Sequence, residues 1–329
     1  MVPSSLLTEE FTDLSGAFLQ SNLWTLFKGS FDWEPYSFHF EGKLVNALLR
    51  HFGKFFSLVY IPYAPIEQDK LEEVSAYLKT LLPKSCLFIR WDLPWYVKEE
   101  GEWPDVPKSF QRASMDIQPP SSVILNIARP LEDIHKGFKE RARRNIKTAE
   151  KKGVTVTCHG AEKISVWYEL YKETSARDRI STHPEAYYHK LFELAKNQKR
   201  LDVRLYMASV DGDEIGGIIT LFDGVEATYL YGATANRKRE TMPAYILQWK
   251  AIQDAKAAGC LEYDFYGIPP VNDPNHPMSG LYLFKTGWGG TIIHRPGCWD
   301  YPCHPILYRM FRLAESVRKW YFKSFKKKH

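Results

Sequence analysis

The segment Gly280-Leu281-Tyr282-Leu283-Phe284-Lys285-Thr286-Gly287-Trp288-Gly289-Gly290 sets one lysine among aromatic residues and glycines, after a proline-rich loop from Pro269 to Pro277. A cation held there suits an anion, or the oxyanion that forms when a carbonyl is attacked. Glycines let backbone approach a ligand, and exposed N–H groups beside Lys285 would strengthen the preference for negative charge. The competing reading is a surface lysine whose alkyl stem lies along apolar neighbours. Tyr229 and Tyr231 sit two positions apart on an expected strand, which puts both hydroxyls on one side. The alternative for that pair is a half-buried aromatic strand face.

Charge narrows the kind of anion. The net charge is +5, and the last twelve residues, RKWYFKSFKKKH, hold six Lys or Arg and no acid. Without them the chain would carry −1. A second block, Lys136 to Lys152, has eight Lys or Arg against Glu140 and Glu150. Two local patches point to polyanionic partners more than an evenly basic surface does. On a helical wheel Phe138, Ala142, Ile146 and Ala149 share one face of this block. Lys136, Lys139, Arg143, Arg144, Lys147 and Lys151 share the other, an arrangement suited to a phosphate backbone or to a plain solvated face. The five cysteines are scattered without a CxxC pair, and Cys298, Cys303 and His304 lack a fourth ligand at a recognisable spacing. Reduced thiols and no metal are expected.

The elements that must position these groups form a repeat. Tyr36 to Pro65 reads as three strands with turns at Glu41-Gly42 and Phe52-Gly53, then a helix over Asp69 to Leu82 and a strand over Cys86 to Trp91. Leu205 to Ala233 repeats the meander with turns at Asp211-Gly212 and Asp223-Gly224. A helix over Pro243 to Ala258, stopped by Gly259, and a strand over Leu261 to Tyr266 complete the second copy. Ser165 to Lys199 reads as helical, broken between Arg179 and Pro184. The expected fold is α+β, with two tandem N-acetyltransferase-like domains packed around a cleft. Residues 1–128 with 297–329 make the first and 129–296 the second. No apolar run is long enough to span a bilayer. The start, MVPSSLLTEEFTDL, carries acids where a signal peptide needs a basic start, so a cytoplasmic protein is expected.

These residues resemble the FemABX family of peptidoglycan aminoacyltransferases over most of the chain. The likeness runs from Gln20-Ser21-Asn22-Leu23-Trp24 with Lys28, through Gln118-Pro119-Pro120 and Arg143-Arg144-Asn145-Ile146-Lys147, to Glu173-Thr174 with Arg177-Asp178. It continues at Tyr229-Leu230-Tyr231-Gly232, Ala244-Tyr245 with Gln248-Trp249, and Tyr263-Asp264-Phe265-Tyr266-Gly267. Gly280 to Gly290 and Trp299-Asp300-Tyr301-Pro302 complete it. The order and co-occurrence of these short motifs carry the likeness. It implies two N-acetyltransferase-like domains, the C-terminal end returning to the first, and the short form without a coiled-coil arm.

The resemblance implies transfer of an amino acid from aminoacyl-tRNA to the side-chain amine of the third stem-peptide residue of a peptidoglycan precursor. Either UDP-MurNAc-pentapeptide or lipid II would be the acceptor. Aminoacyl-tRNA is a co-substrate, no cofactor is implied, and a monomer is expected. Phe284 and Lys285 match the catalytic Phe-Lys at the aminoacyl end of the tRNA. Tyr229 and Tyr231 match a tyrosine pair near the acceptor and the tRNA end, and Lys28 a lysine that helps hold the acceptor's diphosphate. The family places an arginine four residues before the tyrosine equivalent to Tyr187. Here His183 stands there, with Arg179 as the candidate substitute. Arg143, Arg144, Lys147, Arg237, Lys238 and Arg239 are the candidate tRNA contacts.

Two rival functions remain open from sequence. An acyl-CoA N-acyltransferase needs a glycine-rich turn before a helix to cradle pyrophosphate, and residues 235–242 have no glycine but three cations. A non-catalytic RNA or membrane-surface binder would use the basic tail, where Trp320, Tyr321, Phe322 and Phe325 lie among lysines over 318–329; the same tail suits an enzyme with a lipid-linked acceptor, in peripheral contact with an anionic membrane at its inner face. Asp92, at a strand end, reads as structural.

Overall fold

Glu41-Gly42 and Asp211-Gly212 turn the chain in the same way. Both residues of each pair have positive φ (49° and 78°, 53° and 75°), the backbone of a tight two-residue hairpin whose twist matches its strands. Around the first turn lie β2 (Glu34–Phe40) and β3 (Lys43–Phe52); around the second, β10 (Asp202–Val210) and β11 (Asp213–Phe222). The computed structural model describes residues 2–3, 18–98 and 105–325. Most of the N-terminal stretch read for targeting, and residues 326–329 of the basic tail, lie outside the described residues.

One unit comprises the described parts of Met1–Trp95, Glu102–Gln118 and Arg295–His329. Its sheet runs β1 (Val2–Pro3), β2, β3, β4 (Phe56–Pro62), β5 (Cys86–Asp92), β15 (Cys298–Pro302), β7 (Gln111–Arg112). All neighbours are antiparallel except β4 and β5, joined through α2 (Leu71–Leu81). Leu71, Val74 and Leu78 of α2 bury fully against Val59, Ile61 and Ile89. The Gln-Ser pair fixes α1 (Asn22–Gly29) to this sheet. Buried Gln20 bonds the backbone of Asn46 and Pro62, and Ser21 caps the helix by accepting from the Trp24 N–H at 3.1 Å. The C-terminal segment is held by a buried bidentate pair, Arg90 to Asp300 at 2.7 and 2.8 Å. The Tyr308 hydroxyl of α9 (Pro305–Phe325) donates to the same carboxylate at 2.9 Å. Removing one partner of such a pair costs about 3–5 kcal/mol. Among the described residues no helix is long and apolar enough to cross a membrane.

The other unit comprises the described parts of Tyr96–Gly101 and Pro119–His294. Its sheet runs β6 (Val97–Lys98), β14 (Thr291–His294), β8 (Ser121–Asn126), β13 (Glu262–Asp264), β12 (Glu226–Thr234), β11, β10, β9 (Thr155–His159). The parallel pair is β12 with β13, joined through α7 (Pro243–Ala257). The meander, helix and parallel strand therefore recur, and both units are N-acetyltransferase-like α+β folds. The unit boundary falls between Gln118 and Pro119 and again before Arg295, not at 128 and 296. The reason is β8, which pairs with β13 on one side and β14 on the other.

Two local departures from the sequence reading bear on the site. The basic block from Lys136 to Lys152, read on one helical wheel, falls on two helices, α3 (Leu131–Gly137) and α4 (Glu140–Lys151). Phe138 between them is extended (φ −65°, ψ 145°) and buries its ring edge-on to Trp249 and Trp288. The strand expected over Leu261 to Tyr266 stops at Asp264. The Asp264 carboxylate accepts the Tyr266 N–H at 2.7 Å, and Tyr266 takes φ 56°, which ends the ladder.

Candidate active site

The parallel ladders of the two units differ where it matters. In the first unit six residue pairs join β4 to β5, through Pro62 and Asp92. In the second only three join β12 to β13, ending at Thr228 and Asp264. Beyond that point the strands part, and the ammonium of Lys285 fills the gap. Its Nζ donates to the carbonyl oxygens of Tyr266 and Gly267, both at 2.9 Å, and lies 5.2 Å from the centre of the Tyr229 ring.

Lys285 ends α8 (Ser279–Lys285), which continues as one 3₁₀ turn over Thr286–Trp288. Trp288 is fully buried against Phe138, Tyr245 and Phe265, and the Gly287 carbonyl accepts the Lys139 N–H at 2.9 Å. This packing fixes the helix that carries the lysine. The glycines act differently from the expectation. A Cβ at Gly289 would strike the Gly137 carbonyl, and one at Gly290 the Ile124 backbone, so these two allow tight packing. Gly280 and Gly287 meet nothing nearby. Lys285 is therefore set against two carbonyls, not among exposed N–H groups.

Lys285 is buried, 6% exposed. Burial lowers its pKa from the ordinary lysine value to about 7, with Asp264 pulling weakly the other way. Two N–H bonds are committed to carbonyls, which leaves the third position of the ammonium for a ligand. An anion bound there would raise the pKa again and favour the charged form.

The two tyrosines do not face one side. Opposite Ile219 lies Tyr231, but opposite the next residue, Thr220, lies Tyr229, so Leu230 is an extra residue in β12. Such a bulge re-aims the side chains on either side of it. Tyr229 crosses over Gly232, where a Cβ would run into its hydroxyl, and packs on the core beneath α7. Tyr231 faces the opposite way, toward α5 (Ile164–Asp178) and α6 (Glu185–Ala195). There it lies 5.1 Å from Tyr188 and 6.4 Å from Tyr171, and hydrogen-bonds Tyr187. Burial raises the pKa of Tyr229, Tyr231 and Tyr187, so all three are neutral phenols at physiological pH.

The other candidates fall into distinct settings. Phe284 turns its ring into the core, 5.1 Å from Tyr245 and 6.1 Å from Trp288. Exposed His183 stacks on Tyr187 at 3.9 Å and 12°. Arg179 closes α5 in the left-handed conformation with an exposed side chain. Lys28 belongs to the first unit, half-buried over the Trp24 ring at 5.6 Å. Burial, helped by Arg50, lowers its pKa to about 8.

The basic residues divide. Arg144 and Lys147 are exposed on α4 and line a shallow cavity of about 410 Å³ with Glu140 and Glu150. Arg143 is half withdrawn, its guanidinium donating to the Lys136 and Phe138 carbonyls that end α3. Arg237 pairs with Asp213 at 2.7 Å and Glu173 at 3.4 Å. Lys238 lies 3.6 Å from both Asp211 and Asp213. Only Arg239 of that turn makes no ion pair among the described residues. At the end of that turn the Thr241 amide bonds the Lys238 carbonyl and the Met242 amide bonds the Arg239 carbonyl.

Asp92, read from sequence as structural, ends β5 and is buried in the first unit. It accepts from the Tyr60 hydroxyl and the Gln118 N–H, both at 3.0 Å, while its other oxygen is buried without a partner. Burial raises its pKa to about 6. The signal in the sequence was slight, a carboxylate ending a strand before Leu93-Pro94.

Fold and site define a tandem N-acetyltransferase-like protein whose second unit carries a buried lysine where its parallel strands part. A sequence model of the FemAB family matches residues 109–215 and 193–316, and the chain belongs to that family. A Lipid II:glycine glycyltransferase from Staphylococcus aureus (strain MSSA476) is 23% identical over 266 residues, covering 61% of this chain and 62% of that protein. The corresponding protein of Staphylococcus saprophyticus is 22% identical over 253 residues, 59% and 61% of the two chains. The chain thus spans about three fifths of the length of these curated relatives. Among solved structures, FemX superposes with a TM-score of 0.77 at 19% identity, covering 91% of this chain and 95% of that one. The C-terminal domain of a lysylphosphatidylglycerol synthetase from Agrobacterium fabrum gives 0.52 at 11% identity, with 82% and 84% covered.

Proposed function

We propose that this protein is an aminoacyltransferase that moves an amino acid from aminoacyl-tRNA to the side-chain amine of the third stem-peptide residue of a peptidoglycan precursor. Membership of the FemAB family supports the class of reaction, and the naming of the staphylococcal relatives as Lipid II:glycine glycyltransferases supports a lipid-linked acceptor. The observation that carries the chemistry is Lys285, with one ammonium position uncommitted in a dry gap between strands.

In this reading the acceptor amine attacks the ester carbonyl of the charged tRNA. A tetrahedral oxyanion forms beside Lys285, and an ammonium already held by two carbonyls stabilises it without reorganisation. The C–O bond then breaks, the amide remains, and the ribose hydroxyl leaves with the proton the amine has lost. A phosphate at the tRNA end would keep Lys285 charged despite its low pKa. An acceptor amine with a pKa near ~10.4 is neutral in on the order of one molecule in a thousand at neutral pH. Holding that fraction against the ester supplies much of the rate. Neutral phenols at Tyr229 and Tyr231 could donate hydrogen bonds but not remove the proton.

The test is incubation with a mixture of charged tRNAs and either UDP-MurNAc-pentapeptide or lipid II, read by mass spectrometry. The expected product is a precursor heavier by one or more aminoacyl residues. Acylation supported by acetyl-CoA, with none from charged tRNA, would replace this reading with an acyl-CoA transferase.

A further inference from the structure

Helix α9 has two unlike sides. On the inner side Tyr308 is fully buried, Phe311 packs 5.1 Å from Phe88, and the Arg312 guanidinium donates to the Arg112 carbonyl at 2.8 Å. These contacts, with the Tyr308–Asp300 bond, fix the helix on the first unit. On the outer side stand Ile306, Met310, Leu313, Val317 and Trp320, each more than half exposed. At 3.6 residues per turn these five fall within an arc of about 80°, on the side opposite Tyr308 and Glu315. Single exposed apolar residues need no explanation, but a continuous stripe over four turns does.

The charge around the stripe says what covers it. Arg309 and Arg318 stand exposed on its two shoulders. Residues 305–329 hold eight Lys or Arg against one acid, Glu315, a net of +7. The chain as a whole carries +5, so the remainder is slightly acidic. The one acid is turned inward, its side chain 12% exposed and 3.9 Å from Arg312. A second copy meeting this face would bring together two segments that each carry +7 in sequence, with Arg309 and Arg318 exposed on both. A surface of negative charge over an apolar interior would satisfy both the stripe and its shoulders.

We propose that the outer face of α9 docks on an anionic lipid bilayer, the helix lying in the plane of the surface. The docking face begins at Ile306, twelve residues before the basic tail to which the sequence pointed. It holds whether or not the chain transfers amino acids, and its failure would leave the transfer assay untouched.

The test is co-sedimentation of the full chain with vesicles of phosphatidylcholine alone and with 30% phosphatidylglycerol, at 0.1 M and 0.5 M salt. Binding to the anionic vesicles should be at least tenfold tighter than to neutral ones and weaken at high salt. Leu313→Gln with Val317→Gln should cost at least tenfold in binding without lowering the melting temperature, since both side chains are exposed. Leu261→Gln, at an exposed apolar site in the other unit, should change nothing. Equal binding by the double variant, or equal binding to neutral vesicles, would overturn the proposal. So would a dimer in sedimentation analysis that the double variant dissolves while neither protein binds vesicles.

Discussion

Burying Lys285 must cost stability in a way that depends on pH, and the cost can be worked out. The amine has its ordinary pKa of 10.5 in the unfolded chain and about 7 in the folded one. A base whose folded value is depressed leaves the unfolded chain holding the extra proton between those two values. Stability therefore rises with pH across that window, by about 1.4 kcal/mol per pH unit, and the penalty is greatest below pH 7. Between pH 6 and pH 9 roughly two units of the window are crossed, worth about 2–3 kcal/mol. Lys285→Met removes this titration. It also strands the Tyr266 and Gly267 carbonyls, but that loss is the same at both pH values. Urea unfolding of both proteins at pH 6 and pH 9, followed by tryptophan fluorescence, isolates the effect as a double difference. The wild type should gain about 2–3 kcal/mol on the variant as pH rises from 6 to 9. A double difference below ~0.5 kcal/mol would mean that the amine is hydrated at rest and that the dry-gap reasoning is wrong.

Two further perturbations probe other parts of the site. Gly232→Ala should push the Tyr229 ring off β12 and cost ~1–3 kcal/mol, seen as a melting temperature lower by several degrees; an unchanged melting temperature would place Tyr229 elsewhere. Arg144→Ala with Lys147→Ala should reduce the slope of log affinity for tRNA against log salt by about 1.4–1.8, at 0.7–0.9 per lost phosphate contact. Arg237→Ala should leave that slope alone, because Asp213 and Glu173 already occupy its guanidinium, and anisotropy with labelled tRNA measures all three proteins.

Much of the scaffold was legible because its signals are local. Glu41-Gly42 and Asp211-Gly212 announce their turns, and Pro243 and Gly259 bracket α7. The repeat of meander, helix and strand follows from such punctuation. What sequence could not show depends on residues far apart in the chain. The bulge at Leu230 arises from the register of β12 against β11, and it reverses the relation of Tyr229 to Tyr231. Arg237 and Lys238 read as free cations because Glu173, Asp211 and Asp213 approach only in the folded unit. β8 was assigned to the wrong unit because its partners lie more than a hundred residues ahead. Lys285 stood out by its company of aromatics and glycines, yet its partners are carbonyls exposed by the turn at Tyr266.

The most direct measurement is the single-turnover rate of aminoacyl transfer from charged tRNA to a lipid-linked precursor, by wild type and by Lys285→Met. If the buried ammonium stabilises the oxyanion, the variant should be slower by about 10²–10³-fold. A variant that transfers within about threefold of the wild-type rate, against that expected loss, would remove Lys285 from the chemistry.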